Sequence, residues 1–417
     1  MQNGAPDLST TSGPQLHTTA VITGLQKRGN QVRTVAIQKP GLVWSDDLQT
    51  WHPPQFGVTN RNAYRLGESA VRRVQFELQL PFISLFDSLR YADACTQQLR
   101  GYDLFYERHG YMGYGGLLAA RRLGVPLIIE LNGNIVKEID EIGVKMSATQ
   151  RKIGRWLTKR TLQSADHLVL VSDALKRELV ASLNLPATKM SVVLNGVNVK
   201  LFAKSYDKTQ VQDQYRLGAG PTITFVGSFQ PWHGVDLLVS SFKLLQDRFP
   251  SAQLILAGDG AGKDAVVKQI AELCLQEKVI MTGRLQQEQV AALLCTSDVL
   301  VAPYPLKHTD IVGTPLKLLE YMAAGRAIVA STAPLHEIIT DGVTGVRVAP
   351  ASAEALAQGI ARLLADPALR AQLGVAANRQ AQRYSWDGVA EQLHEIFVAV
   401  RAARKGQRAI HPSTVTS

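Results

Sequence analysis

At 417 residues the chain exceeds the roughly 250 to 300 residues at which one hydrophobic core stops growing, so a single-core fold is excluded and two α/β domains are expected. Hydrophobic residues make up 46% and charged residues 19%, enough apolar surface to fill two interiors, which excludes disorder outside the ends. The net charge of +10 favours an anionic partner, whether nucleic acid, a phosphorylated substrate or a membrane face, without choosing among them.

The first 19 residues, MQNGAPDLSTTSGPQLHTT, contain no strand-like run, although a doubly wound domain ordinarily opens with one, so a shortened or misassigned start is expected. Strand signals follow at 31–38, 102–107, 125–131, 167–171 and 190–194, with helical stretches between most of them. Residues 53–100 mix arginine and aromatic residues without strand periodicity and read as an irregular helical insertion. The polar stretch 200–221 ends in Gly-Ala-Gly-Pro and reads as a linker. A second series of strand signals lies at 222–226, 253–257, 279–282, 299–302, 327–330 and 346–348. An amphipathic helix over 387–404 and a polar tail from Lys405 close the chain. The expectation is two doubly wound, Rossmann-like α/β domains over 1–205 and 206–382, a terminal helix over 383–405 that packs back on the first domain, and a flexible tail over 406–417.

The most informative segment is GTPLKLLEYMAAG, from Gly313 to Gly325, because it carries a complete helix specification. Thr314 suits the cap, Pro315 the first helical position and Gly325 the stop. Such a helix aims its free N–H groups and positive dipole end out of the strand before it, which is where a diphosphate binds in open α/β sheets. Lys317 and Glu320, three apart, share one face. A lysine neutralises phosphate oxygens and a carboxylate accepts from the vicinal hydroxyls of a ribose, so the pair matches a nucleoside diphosphate; an ordinary surface ion pair fits these residues equally well. A second segment, VGSFQPWHGVD from Val226 to Asp236, follows a strand and precedes a helix. Amides at Gly227 and Ser228, with His233, are placed to approach phosphate, or His233 caps the helix. Gly258 to Gly262 reads as a turn.

Taken together, these segments make the second half resemble glycosyltransferase family 4, the group 1 transferases. The similar stretches are VGSFQPWHGVD, LILAGDG, VIMTGRL, SDVLVAPYP, TPLKLLEYMAAGRAIVAS, HEIITDGVTGVRV and RYSWDGVAEQLHEIF, joined in the first half by VPLIIELNG, SADHLVLVSDALKREL and VVLNGVNVKLF. The resemblance implies a GT-B fold, with two Rossmann-like domains facing across a cleft, the first on the acceptor side and the second holding the donor. It implies an enzyme that moves a sugar, with retention, from a UDP- or GDP-sugar to a glycan or lipid-linked acceptor, with no metal or other cofactor. By the same resemblance Glu320 binds the donor ribose, while the amides of Gly313, Thr314, Pro315 and Leu316, with Lys317, lie along the diphosphate, Pro315 contributing only its fixed backbone. Gly227, Ser228 and His233 form the phosphate turn and Arg284 sits near the base. The family's first glutamate of the pair falls on Val312, and its usual Arg and Lys of the phosphate turn fall on Ser228 and His233; Lys317 is expected to supply the missing charge. On the acceptor side Glu130, Asn132 and His109 are the candidate catalytic groups, with a structural role the alternative for Glu130.

Between Lys145 and Gln163 there are six basic residues, Lys145, Arg151, Lys152, Arg155, Lys159 and Arg160, and no acidic one. With Ile153, Trp156 and Leu157 interleaved, the stretch fits a helix on an anionic membrane surface, or a solvated face. Cys95, Cys274 and Cys295 lack metal or disulfide spacing. With no signal peptide and no apolar run long enough to span a bilayer, a cytoplasmic protein is expected, peripheral on the inner face of the membrane. Two rival functions stay open: a sugar-nucleotide epimerase of the same fold, and a non-catalytic sugar-nucleotide-binding subunit. A dehydrogenase is disfavoured by the absence of a complete G-x-G-x-x-G, and a nucleic-acid binder by the absence of a stacking platform.

Overall fold

A computed structural model of the chain describes residues 13–38, 41–77, 85–141, 147–305, 315–331 and 338–410. The chain divides into two compact units, Met1–Leu194 with Val389–Ser417, and Asn195–Gly388.

The first unit opens with helix α1 (Gly13–Lys27). The strand signal at 31–38 was expected in the parallel series, but its strand β1 (Thr34–Gln38) pairs antiparallel with β2 (Gly41–Ser45), which sequence reading missed. Two residues separate these strands, whereas a parallel crossover needs a dozen or more, so only a hairpin closes. Arg33 stacks 4.3 Å from the Trp44 ring centroid and bonds Asp46 at 2.7 Å, which ties the hairpin's two ends together. The insertion contains two regular helices, α2 (Asn62–Glu77) and α3 (Leu85–Gln98). They are joined by the buried Glu68, which accepts from Arg72 and from Arg90 at 2.9 Å each.

Then come β3 (Phe105–Arg108), α4 (Gly115–Leu123), β4 (Leu127–Leu131), α5 (Ile135–Glu141), α6 (Ala148–Ser164), β5 (His167–Leu170) and β6 (Met190–Val192). The four strands form a parallel sheet in the order β3-β4-β5-β6. Strand β4, LIIEL, is buried throughout, as a strand covered on both faces must be. The terminal helix runs over Trp386–Ile410, longer at both ends than the sequence pattern suggested. Arg404 bonds Asp166 at 2.7 Å and Arg401 lies 2.9 Å from Asp103, so its later turns belong to this unit.

The second unit has six parallel strands, β7 (Thr222–Val226), β8 (Gln253–Ala257), β9 (Val279–Gly283), β10 (Val299–Ala302), β11 (Ala327–Ser331) and β12 (Val346–Val348). Their order across the sheet is β9-β8-β7-β10-β11-β12. The chain therefore winds outward in one direction from β7 and in the other from β10. Helices cover both faces: Val299 and Val301 point into one apolar cluster, Leu300 and Ala302 into the other. Strands β7 and β10 are registered only at Ile223↔Val299 and Thr224↔Leu300 and then part. The Tyr321 hydroxyl sits in that gap, accepting from the Val226 N–H at 2.8 Å and lying 3.4 Å from the Val301 carbonyl.

The stretch read as a linker differs in the structure. The division falls at Leu194/Asn195, and helices Val199–Phe202 and Lys208–Tyr215 occupy most of the polar segment. Its few apolar side chains are anchors: Leu201, Phe202 and Val211 are all buried, the first two in the cluster that holds Leu294 and Cys295. Truncating such an anchor costs about 3 to 5 kcal/mol. Phe202→Ala should lower the urea midpoint of the second unit accordingly, and a loss under about 1 kcal/mol would show the segment to be a tether.

Candidate functional site

In an open parallel sheet the strands on either side of the order reversal send their following loops to opposite faces, leaving a crevice beyond their carboxyl ends. Here that crevice lies beyond β7 and β10. After β7 the chain turns through Gly227 and Ser228, crosses the short turn Pro231–His233 and enters helix Val235–Lys243 at Gly234. Gly234 has φ +66°, and a Cβ there would stand 1.8 Å from the Pro303 carbonyl oxygen, so only glycine lets this turn approach the end of β10.

The helix Leu316–Ala323 faces the same crevice. Pro315, expected at the first helical position, is the residue before it, with extended ψ of 121° and no side-chain cap. The helix ends at Ala323, and Gly325 follows in the left-handed region at φ +66°. Gly313 and Thr314, like Val312 and Lys145, lie outside the described residues. The Leu318 N–H turns back to the Pro315 carbonyl at 3.1 Å. At the mouth this leaves the amides of Leu316 and Lys317, neither bonded to a described residue.

Lys317 reaches across the crevice. Its Nζ is buried and has no hydrogen-bond partner among the described residues. It lies 4.6 Å from the Phe225 ring centroid and 5.2 Å from that of Tyr304, contacts that supply a cation with ring-face electrostatics but no acceptor. A Cβ at Gly227 would stand 2.7 Å from Nζ, so glycine is what makes room for the ammonium. Burial lowers the Lys317 pKa to about 7, with the Glu320 charge acting in the opposite direction. An unpaired ammonium out of water is costly, and an anion in the crevice would remove that cost.

Glu320, one turn deeper, accepts from Gln287 Nε2 at 2.7 Å through one oxygen. Its pKa is raised by burial, against the opposing effects of Gln287 and Lys317. The second oxygen has no partner among the described residues. Arg284 follows Gly283 at the end of β9 and is exposed. Sequence reading missed Phe225, Tyr304 and Gln287; Tyr304, in the strand-end run VAPYP, was the only one of the three with a positional signal.

The phosphate turn departs from expectation in two details. The Gly227 N–H is already donated to the Ala257 carbonyl at 2.9 Å, so it is not offered to a ligand; Gly227 contributes space, and the free amide is that of Ser228. His233 Nδ1 faces the Ser228 carbonyl and lies 3.1 Å from Ser228 Oγ. A carbonyl only accepts, so Nδ1 carries the hydrogen. Burial, then the Lys317 charge, lowers the ring's pKa to about 4. The neutral ring thus shows a lone pair at Nε2 and serves to fix the turn.

In the first unit, Glu130 and Asn132 lie at the end of β4 and His109 just past β3. Glu130 is 3% exposed. Its carboxylate receives Asn132 Nδ2 at 2.7 Å, the Tyr106 hydroxyl, and His17 Nε2 at 3.2 Å. Burial pushes its pKa up, but His17, Arg108 and these hydrogen bonds outweigh burial and hold it below the usual value. The His109 side chain is shut off from solvent, with Nδ1 3.8 Å from Glu107 Oε1. The three candidates are together, joined also by the His109 N–H to the Glu130 carbonyl at 3.1 Å, in an interior network that satisfies Glu130. Of the three, Glu130 borders a cavity of about 910 Å³ that is lined also by Val21, Leu25, Phe105 and Phe397.

Comparison with known proteins covers both units of the chain. Residues 12–196 match the family described as glycosyl transferase 4-like domain, and residues 220–366 match glycosyl transferases group 1. The alpha-D-kanosaminyltransferase of Streptomyces kanamyceticus is 25% identical over 284 residues, 67% of this chain and 72% of that one. Sucrose-phosphate synthase of Thermosynechococcus elongatus superposes with a TM-score of 0.71 at 22% identity, covering 94% of each chain. HepE of Anabaena in complex with UDP superposes with a TM-score of 0.63 at 20% identity, covering 75% of this chain and 84% of that one. The fold is of the GT-B class, and the chain is an enzyme that belongs to the group 1 glycosyltransferases.

Proposed function

We propose that the second unit binds a UDP- or GDP-sugar with its diphosphate on Lys317 and the amides at the mouth of helix Leu316–Ala323, and with its ribose on Glu320. The observation that carries this reading is the buried Lys317 Nζ, with no acceptor among the described residues, held at the crevice where the strand order reverses. Charge develops on the leaving diphosphate as the glycosidic bond breaks, and a fixed cation with oriented amides stabilises it without reorganisation. No metal enters the proposed step, since Lys317 faces the diphosphate directly. The solved relative's UDP supports a uridine donor, with guanosine the alternative. Arg284, exposed at the end of β9, is assigned to the base.

In the proposed reaction the sugar passes to a glycan or lipid-linked acceptor with retention, the leaving phosphate helping to deprotonate the acceptor hydroxyl. Glu130, Asn132 and His109 act as one unit on the acceptor side, Glu130 holding the other two in place. The enzyme works in the cytoplasm. No described helix is long and apolar enough to cross a membrane, and the basic helix α6, with Arg151, Lys152, Arg155, Lys159, Arg160 and the preceding Lys145, is assigned to the inner membrane face where a lipid-linked acceptor would lie.

Calorimetric titration with UDP, GDP and their sugars tests the donor site. Glu320→Ala should lose about 1 to 3 kcal/mol of binding, and Lys317→Ala about 1.5 to 3 kcal/mol. Unchanged affinity in both variants would reject the site. Binding also carries a pH signature. The free site holds Lys317 near pKa 7, and a bound diphosphate raises it, so binding takes up a proton above that value. Affinity for the sugar nucleotide should be highest at low pH and fall by up to about tenfold per unit above about pH 7. Lys317→Met should flatten the profile; a profile that stays steep in this variant assigns the proton elsewhere.

A further inference from the structure

Sugar transfer leaves one surface of the first unit without a purpose. Among the described residues, several large apolar side chains stand open to solvent, including Leu66 at 71%, Trp156 at 62% and Val74 at 51%. Leu66 and Val74 are on α2 and Trp156 is on α6.

On α2 the inward face is fixed by Glu68, buried between Arg72 and Arg90. At 3.6 residues per turn, Leu66, Ala70 and Val74 project on the opposite side. All three are exposed, and so are Arg65 and Arg73 along one border of that stripe. One acid, Glu77, lies at the helix end. On α6 the inward face is Gly154, Thr158, Thr161 and Leu162. The outward face carries Ile153 and Trp156 between Lys152, Arg155 and Arg160, with no acid anywhere in the helix.

The two helices are linked through the same loop. The Tyr111 ring lies against Gly154, where an added Cβ would stand 2.1 Å from its hydroxyl oxygen, and the Met112 N–H donates to Thr158 Oγ1 at 3.1 Å. From the same loop the Met112 carbonyl accepts from Ser88 Oγ of α3 at 3.5 Å, and α3 is tied to α2 by Arg90 and Glu68. Outward apolar side chains bordered by arginine and lysine are the make-up of a helix that lies in the headgroup layer of a bilayer. The cations complement anionic lipid. A nucleic acid would use the cations but has no use for Leu66 and Val74.

We propose that α2 and α6 form a two-point contact with the surface of a membrane containing anionic phospholipid, α2 entering through Leu66 and Val74 and α6 through Ile153 and Trp156. The proposal rests on the assignment of α6 to the membrane face and adds α2 as a second, independent anchor.

The test is sedimentation of the full chain with vesicles of phosphatidylcholine alone and of phosphatidylcholine mixed with phosphatidylglycerol. The variants are Leu66→Glu with Val74→Glu, and Ile153→Glu with Trp156→Glu. All four positions are exposed, and retained circular dichroism and melting temperature establish that each variant is folded. Wild type should bind only the mixed vesicles, and each double variant should partition about tenfold more weakly. Loss in the α6 variant with unchanged binding in the α2 variant would overturn the second anchor and leave α6 standing. Loss in the α2 variant alone would keep the new anchor and remove α6. Absence of wild-type binding would overturn both. Binding that neither variant weakens and that salt abolishes would mark charge attraction without insertion, and would overturn the proposal equally.

Discussion

The crevice of the second unit is organised around a cation that has been taken out of water. The Lys317 ammonium lies behind Gly227, between the faces of Phe225 and Tyr304. None of these groups returns the hydrogen bonds that water gave it. The residues around it follow from that one cost: a glycine where a side chain would displace the ammonium, two rings whose negative faces soften the desolvation, and an acid one turn along. Among the described residues no acceptor completes the site.

Two departures from the family pattern fall at this crevice. The family's basic residues on the turn after the first strand are replaced here by Ser228 and His233, and His233 is spent on holding the turn. The cation described in this crevice, Lys317, comes from the facing helix. Delivered from a helix, a lysine is held by packing along its stem. Delivered from a loop, it would pay more conformational entropy for the same contact.

The central strands of the second unit were legible because they are runs buried on both faces, and such runs show as mostly apolar sequence; TITFV, QLILA and VLVA stand out between polar and glycine-rich stretches. The hairpin was not, because GLVWS is only partly buried and begins two residues after the strand before it. The linker was misplaced because Leu201, Phe202 and Val211 are few among polar neighbours, and burial of three side chains leaves no period to detect. At the site, Lys317 and Glu320 were found together because helical spacing is local. Phe225 comes from β7, Tyr304 from the chain just past β10 and Gln287 from the start of helix Gln287–Thr296, and they meet helix Leu316–Ala323 only through the order of strands in the sheet. Spacing along the chain cannot encode that. The turn amide of Gly227 misled for a similar reason: its partner, Ala257, belongs to the neighbouring strand.

Tyr321 carries a mechanical consequence. Where β7 and β10 cease to be registered, its hydroxyl lies against the backbone of both. Apolar packing yields gradually under displacement, but a hydrogen bond weakens steeply with distance and angle. The crevice is therefore pegged open at a set width, and the two three-stranded halves of the sheet behave as one rigid jaw. A change in the width of the crevice would have to break one of these two contacts.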